Sequence, residues 1–277
     1  MINTSLSRLL STNTFSTLLV DASGVLYNDF GVFPGTVDAI KVLNRTYRVI
    51  LLTNNTYSNV YDISEKLAKN GITIPPESII SSGLGLAIDP TFKQMIEQKK
   101  VFVFGTESSK DYISEANPSQ FTTLFDADVV VLTASLKDGH EEKFQELMIY
   151  LESHPNIPVI WSNPDQNVRP YGDKNLKKVI GYYAGLLERQ GVHVHWMGKP
   201  YDSFSDVVSS VLKTRFSIES NEGVCFFDDN IENVINLTNR LGISGCLVRD
   251  TGLSKGIDLK SYLKKCPPQY CISEFSF

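Results

Sequence analysis

The chain has 277 residues, 42% of them hydrophobic and 21% charged, with 26 basic residues against 31 acidic ones. This apolar content excludes an intrinsically disordered protein, and no apolar run approaches the roughly 18 residues that a transmembrane helix needs. The net charge of −5 argues against general affinity for nucleic acid or for anionic membranes. The length allows one large domain or two smaller ones.

The amino-terminal residues MINTSLSRLLSTNTF have neither the basic start nor the unbroken apolar stretch of a secretory signal. Cys225 and Cys246 lie inside apolar runs, as small core residues do. Cys266 and Cys271 lie five apart near the end of the chain, where a metal or disulfide pair is the less favoured interpretation. We therefore expect a reducing, cytoplasmic location.

Short apolar runs rich in β-branched and aromatic residues recur along the chain. Most of them lack polar alternation, which predicts strands that are buried on both faces. The predicted strands are Leu18–Val20, Val49–Leu52, Val101–Phe104, Val129–Leu132, Val159–Trp161, Val194–Met197, Val224–Phe227 and Cys246–Val248.

Amphipathic stretches lie between these runs and predict helices. They are Val37–Leu43, Asp62–Lys69, Glu141–Leu151, Lys174–Arg189, Ser203–Thr214 and Glu232–Leu241. Alternation of strands and helices predicts an α/β fold with a mainly parallel sheet.

Polar side chains follow four of the predicted strands, where ligands gather in open α/β sheets. Taken singly, such residues are more typical of helix caps, turns and solvated charges than of a site. Together they supply a carboxylate, a hydroxyl, an ammonium and a carboxylate pair, in this chain order: Asp21, Thr53 with Asn54, Lys199, and Asp228 with Asp229. This combination suits phosphoryl transfer, in which a carboxylate can attack phosphorus, carboxylates can hold Mg²⁺, and donors cradle the phosphate oxygens.

These residues resemble the motifs of the haloacid dehalogenase superfamily, specifically its NagD-like phosphatase branch, over nearly the whole chain. VDASGVLYND resembles the first motif, VILLTNNT the second, HWMGKPY the third and FFDDNIENVINLTNRLGI the fourth. The resemblance implies Asp21 as the nucleophile, phosphate contacts from Thr53, Asn54 and Lys199, and Mg²⁺ as cofactor. It implies metal binding by Asp21, the backbone of Ser23, and Asp229, with support from Asp228 and Asn233.

The resemblance also implies a Rossmann-like core with an inserted α/β cap domain of the second type. The cap would comprise residues 84–188, and the core residues 1–83 and 189–277. Asn163 and Asp165, in the segment SNPDQNVRP, would face a small phosphorylated substrate from the cap, although Asn-Pro-Asp is also an ordinary turn. Caps of this branch often mediate dimers, so a homodimer through the cap is a further expectation, with no nucleic-acid or membrane partner.

Position 23 departs from the family pattern, which has an aspartate two positions after the nucleophile as general acid and base. Ser23 has no pKa near neutrality, and loss of such a group typically slows a reaction by about 10² to 10⁴. Three hypotheses stay open: a slow or specialised phosphatase, favouring leaving groups such as aryl oxygens; a related reaction that does not use this acid; and a catalytically impaired phosphate-ligand binding or interaction protein.

Other candidates carry weaker signals. His193 and His195 alternate along a predicted strand, a spacing that can bind metal, but no third ligand is evident nearby, which favours packing or surface exposure. Arg169 and Lys174 could add positive charge near a phosphorylated substrate, although the spacing does not determine where they point.

Overall fold

The computed structural model describes residues 1–29, 31–133, 141–169, 175–256 and 267–277. It contains two parallel sheets and two small antiparallel ribbons. The described strands are β1 (Ile2–Asn3), β2 (Thr17–Asp21), β3 (Tyr27–Asn28), β4 (Gly31–Val32), β5 (Arg48–Thr53), β6 (Ile79–Ser81), β7 (Lys100–Phe104), β8 (Gln120–Phe121), β9 (Val129–Leu132), β10 (Val159–Trp161), β11 (Asn167–Val168), β12 (Lys177–Lys178), β13 (Val194–Trp196), β14 (Val224–Asp228), β15 (Ser244–Val248) and β16 (Tyr270–Ile272).

Helices connect most of these strands. Those that the structure describes are α1 (Leu6–Thr12), α2 (Thr36–Leu43), α3 (Val60–Lys69), α4 (Ser82–Ile88), α5 (Pro90–Ile96), α6 (Glu107–Ser114), α7 (Glu141–Ser153), α8 (Ile180–Arg189), α9 (Asp202–Thr214) and α10 (Ile231–Leu241). No helix among the described residues is both long enough and apolar enough to cross a membrane.

The larger sheet has seven strands in the order β1-β16-β15-β14-β2-β5-β6, and all its neighbours pair in parallel. From β2 the chain runs outward through β5 and β6, and it later returns on the other side of β2 as β14. The order therefore reverses between β2 and β14. In open α/β sheets ligands bind beyond the carboxyl ends of strands at such a switch point.

The smaller sheet has five strands in the order β13-β10-β9-β7-β8, again all parallel. It is inserted between β6 and β14 of the larger sheet, so the predicted α/β fold with an inserted α/β unit is confirmed. The strand β13 pairs with β10 and therefore belongs to the inserted sheet, although it lies beyond the predicted cap limit at residue 188. The domain limits themselves stay a prediction.

The carboxyl ends of the inserted strands lie against the loop that follows β5. The Thr56 hydroxyl donates to the Thr133 carbonyl at 2.7 Å, and the Thr106 hydroxyl donates to the Tyr57 carbonyl at 2.5 Å. One continuous cluster of buried apolar side chains also includes residues of both sheets, such as Ile50 and Val131. Hydrogen bonds and shared core thus join the two units beside the switch point.

All eight predicted apolar runs form strands, and those of β2, β5, β9, β10 and β14 are almost wholly buried. The predicted helix over 174–189 is too long, because Lys177 and Lys178 pair with β11 and the helix begins at Ile180. Cys225 and Cys246 are buried free thiols, as predicted. Cys266, Lys174 and Phe30 lie outside the described residues.

Candidate active site

Asp21 and Asp228 lie side by side at the switch point. Each is the last residue of its strand, and the register pairs Val20 with Phe227, the residues just before them. Asp21 is 6% exposed and Asp228 is fully buried. Two carboxylates that are buried away from water repel each other strongly unless a cation lies between them.

The ammonium of Lys199 provides that cation. Its Nζ lies 2.5 Å from Asp21 Oδ1 and 2.7 Å from Asp228 Oδ2, and it also donates to the Leu52 carbonyl at 3.3 Å. Burial alone would lower the pKa of Lys199, but the charges and hydrogen bonds of the two carboxylates outweigh it and raise the pKa. Lys199 therefore stays charged and holds both strand ends together.

Asp229 adds a third carboxylate to this group. One oxygen each of Asp21, Asp228 and Asp229 lies within 4.8 Å of the others, and all three residues are buried. Burial and the charge of Asp228 raise the pKa of Asp21 from 3.8 to about 8, against the opposing effect of Lys199. Burial, Asp228 and Asp21 likewise raise the pKa of Asp229. The cluster thus has three carboxyl groups and one ammonium, so a further positive charge would improve its charge balance.

Asn233 completes the polar shell of this cluster. Its Nδ2 donates to both carboxylate oxygens of Asp228 at 3.2 and 3.3 Å, and its buried Oδ1 has no hydrogen-bond partner among the described residues. Carboxylate and amide oxygens are the hard ligands that Mg²⁺ prefers. The donor set therefore fits a divalent cation.

Two glycines press their backbones against Asp229. At Gly24, φ is +93° and a Cβ would overlap the Asp229 carboxyl group; at Gly252, φ is +50° and a Cβ would overlap the same group. The Leu253 amide donates to Asp229 Oδ2 at 2.5 Å. The contribution of this loop was not predicted from the sequence, although the glycine after the strand β15 was an available signal.

Thr53 is the last residue of β5, and Asn54 follows it and hydrogen-bonds the backbone of Lys199. Both amide hydrogens of Asn54 are engaged, one with Asp165 Oδ1 at 2.9 Å and one with the Lys199 carbonyl at 2.9 Å. Its Oδ1 accepts from the Lys199 amide at 2.8 Å. The side-chain amide of Asn54 therefore has no hydrogen left to donate, and the phosphate contact of Asn54 stays a prediction. Thr53 Oγ1 accepts from the Asn55 amide and keeps its own hydrogen for another partner.

Ser23 lies in the loop after β2, exposed and facing the cavity. Its backbone pairs with Tyr27, and its hydroxyl makes no hydrogen bond within the described ranges. Ser23 thus lines the same cavity as the three carboxyl groups and brings no titratable group to it, and its predicted role stays a prediction.

A cavity of about 1720 Å³ opens above these residues and is lined from both sheets. Asn163, Asp165 and Arg169 reach it from the inserted unit, and the Arg169 Nε donates to the Gly252 carbonyl at 2.9 Å. His193 and His195 are exposed on the inserted sheet and do not join the carboxylate cluster. The sequence analysis did not predict the contact between Asp165 and Asn54, which are 111 residues apart.

Comparison with known proteins gives two sequence similarities. The profile of the haloacid dehalogenase-like hydrolases matches residues 18–118, which include Asp21, Thr53 and Asn54. The dihydroxyacetone phosphatase of Corynebacterium glutamicum (strain R) is 24% identical over 246 residues, covering 88% of this chain and 84% of that protein. The chain is thus similar in sequence to haloacid dehalogenase-like hydrolases over its amino-terminal part and to one phosphatase over most of its length.

Solved structures of this superfamily share the fold over the full length. A "possible sugar phosphatase" from Cytophaga hutchinsonii ATCC 33406 superposes with a TM-score of 0.82 at 20% identity, covering 100% of this chain and 99% of that one. NagD from E. coli K-12 superposes with a TM-score of 0.69 at 20% identity, covering 95% of this chain and 98% of that one. The predicted resemblance to haloacid dehalogenase-like hydrolases is confirmed as a sequence similarity, and the predicted resemblance to NagD is confirmed for the fold.

Proposed function

We propose that the protein is a Mg²⁺-dependent phosphatase that hydrolyses a small phosphorylated metabolite through an aspartyl-phosphate on Asp21. The observation that carries this proposal is the ammonium of Lys199 between the neighbouring strand ends of Asp21 and Asp228. A carboxylate held in this way lies at the floor of a cavity, where a phosphoryl group can be approached by a preoriented nucleophile.

The metal would be held by Asp21, Asp229 and the backbone carbonyl of Ser23, with Asp228 and Asn233 around them. When bound, Mg²⁺ supplies positive charge that lowers the pKa values of the carboxyl groups and offsets repulsion between Asp21 and the phosphate. The buried carboxylates with raised pKa values and the unpartnered Asn233 Oδ1 support this placement.

The chain's own residues divide the remaining work. Asp21 attacks phosphorus, and the ammonium of Lys199 and the hydroxyl of Thr53 stabilise charge on the equatorial oxygens. Asn54 acts as a positioning residue, because it hydrogen-bonds both the amide and the carbonyl of Lys199. Asn163 and Asp165 contribute to the substrate cavity from the inserted unit.

The relatives support a small phosphate ester as substrate. One is a dihydroxyacetone phosphatase, and a structural neighbour is described as a sugar phosphatase. A cavity of about 1720 Å³ has room for such an ester and for an aryl phosphate.

Ser23 favours a second candidate function, that of a phosphate-ligand binding or interaction protein with impaired turnover. Its exposed hydroxyl cannot take the role of the family's aspartate. The two candidates differ in one measurable property, which is turnover.

Steady-state hydrolysis of para-nitrophenyl phosphate, with Mg²⁺ and with EDTA, tests the proposal. We expect wild-type turnover that needs Mg²⁺ and falls by about 10⁴ or more in Asp21→Asn. Asp38→Asn, which alters an exposed carboxyl outside the site, is the matched control and should retain wild-type rates.

Activity that survives Asp21→Asn contradicts the assignment of the nucleophile. An inactive wild type whose turnover appears only in Ser23→Asp favours the binding-protein alternative.

A further inference from the structure

The phosphatase proposed above lacks a proton donor at position 23, and its reaction needs one elsewhere. In phosphoryl transfer the attacking and leaving oxygens lie roughly in line, so the leaving oxygen departs on the side of phosphorus away from Asp21. An alkyl leaving oxygen departs slowly unless a nearby acid protonates it. The donor should therefore line the cavity and lie outside the Asp21, Asp228 and Asp229 cluster.

Four further carboxyl groups line the cavity among the described residues: Asp29, Asp165, Asp250 and Glu274. Asp29, Asp250 and Glu274 are exposed to water. Asp250 also pairs with the Arg249 guanidinium, whose hydrogen bond lowers the pKa of Asp250 and keeps it ionised. An ionised, solvated carboxylate is a poor proton donor.

Asp165 differs from the other three in its contacts. Its Oδ1 accepts from Asn54 at 2.9 Å, while Oδ2 makes no hydrogen bond within the described part of the chain. The backbone around it is held on both sides, by the Asn163 side chain at the Asp165 amide and by the Gly181 amide at its carbonyl. The carboxyl group is thus fixed at one oxygen and available at the other.

The surroundings of Asp165 favour the protonated form. Burial raises its pKa, the charge of Asp228 adds to the increase, and the Asn54 hydrogen bond and the Lys199 charge oppose it. In its ionised form Asp165 also raises the pKa of Asp21, and both residues line the same cavity. A carboxyl group with a raised pKa can donate a proton near neutral pH.

We infer that Asp165 is the general acid and base of the proposed phosphatase, in the role that Ser23 cannot fill. As Asp21 bonds to phosphorus, the bond from phosphorus to the leaving oxygen breaks, and that oxygen takes the proton of Asp165. Water then attacks phosphorus and gives a proton to the Asp165 carboxylate. The bond from phosphorus to Asp21 breaks, which releases inorganic phosphate and regenerates protonated Asp165.

The test is the leaving-group dependence of Asp165→Asn, assayed with Mg²⁺ on ethyl phosphate and on para-nitrophenyl phosphate. Asparagine keeps an acceptor for Asn54 but carries no acidic proton, so the contact to Asn54 survives. We expect kcat/KM for ethyl phosphate to fall by about 10² to 10⁴. For the aryl ester, whose leaving group needs no proton, kcat/KM should stay within about tenfold, and Asp38→Asn is again the control.

Pre-steady-state kinetics give a second readout. Because water activation also needs the base, Asp165→Asn should release a burst of para-nitrophenolate followed by a slow steady state. Thermal melting of the variant checks that it is folded.

Equal losses of kcat/KM on both esters would reduce Asp165 to a residue that positions Asn54, and unchanged rates on ethyl phosphate would also overturn the inference. Both outcomes leave the proposed phosphatase intact if Asp21→Asn is inactive. A wild type inactive on both esters overturns the two proposals together.

Discussion

The two parallel sheets end in very different chemistry at their carboxyl edges. The seven-stranded sheet ends in Asp21, Thr53 and Asp228, and the loop after β13 sends Lys199 between the two aspartates. Thr133 and Ser162 follow strands of the five-stranded sheet, and both are fully buried.

The hydroxyls of Thr133 and Ser162, at the carboxyl edge of the five-stranded sheet, donate hydrogen bonds inside the protein. Thr133 donates to Ser109 Oγ at 2.7 Å, and Ser162 donates to the Leu132 carbonyl at 2.7 Å. Loops converge at the carboxyl edge of each parallel sheet. The strands β2 and β14 of the seven-stranded sheet end in carboxyl groups, whereas Thr133 and Ser162 follow strands of the five-stranded sheet. The inserted unit lines one side of the cavity, and its loops carry Asp165 after β10 and Lys199 after β13.

Removing Lys199 should cause the largest change, because it joins both aspartates of the charged edge. Lys199→Met would leave two buried carboxylates without their cation, at a cost of about 3 to 5 kcal/mol in unfolding free energy. We expect turnover to fall by about 10² to 10³, measured as kcat/KM on para-nitrophenyl phosphate. Lys213→Met, an exposed lysine in α9, is the control. Wild-type turnover in Lys199→Met would show that Lys199 does not contribute to the reaction.

Asn54→Ala should remove the polar contact between the loop after β5 and the loop that carries Asp165. The variant loses the hydrogen bonds to Asp165 and to the backbone of Lys199. The position of the Lys199 ammonium is then less well fixed. We expect a loss of about 10- to 100-fold in kcat/KM and about 1 to 3 kcal/mol in stability. Asn156→Ala, at an exposed position of the inserted unit, is the comparison variant. Full activity with reduced stability would show that Asn54 only holds the fold.

The charged edge should also make stability depend on pH. The folded protein holds a proton on Asp21 up to a pKa of about 8, whereas the unfolded chain releases it near 3.8. Metal-free stability should therefore be highest below pH 4 as far as this group is concerned, and fall as pH rises through 8, by up to about 1.4 kcal/mol per pH unit.

Urea denaturation in EDTA at pH 5, 6.5 and 8 measures this trend. Asp21→Asn should weaken it, and Mg²⁺ should stabilise the protein more at pH 8 than at pH 5, because metal and proton compete for the same carboxylates. A stability that rises with pH over this range would contradict the raised pKa of Asp21.

Thr133→Val should have the smallest effect, because it alters an uncharged side chain at the carboxyl edge of the five-stranded sheet. Valine keeps the branched shape but removes the hydroxyl that donates to Ser109. We expect a loss of about 1 kcal/mol, seen as a melting temperature lower by about 2 to 4 °C, with kcat/KM unchanged. A large loss of activity would show that the inserted edge contributes more than packing.

Local sequence was sufficient for the strands and for the site residues that end them. Apolar runs without polar alternation predicted β2, β5 and β14, and the rule that ligands gather at strand ends selected Asp21, Thr53 and Asp228. These predictions succeed because burial on both faces and the position after a strand are properties of a few consecutive residues.

Long-range pairing was not accessible in the same way. The run Val194–Met197 predicted a strand, but its hydrogen bonds to Val159–Trp161 assign it to the inserted sheet. The short strands β6 and β16 were not predicted, although β10 and β13, which are equally short, were. The pairing partner of a strand depends on the packing of the whole sheet.

The sequence by itself determined the resemblance to haloacid dehalogenase-like hydrolases, the order of the chemical groups and the departure at Ser23. The tertiary structure decided which groups act on each other: Lys199 on Asp21 and Asp228, and Asn54 on Asp165. Charge and hydrogen bonding depend on distance and burial, and both are set by packing between residues that lie 29 to 178 positions apart. For that reason the candidate acid that replaces Ser23 became visible only in the folded chain.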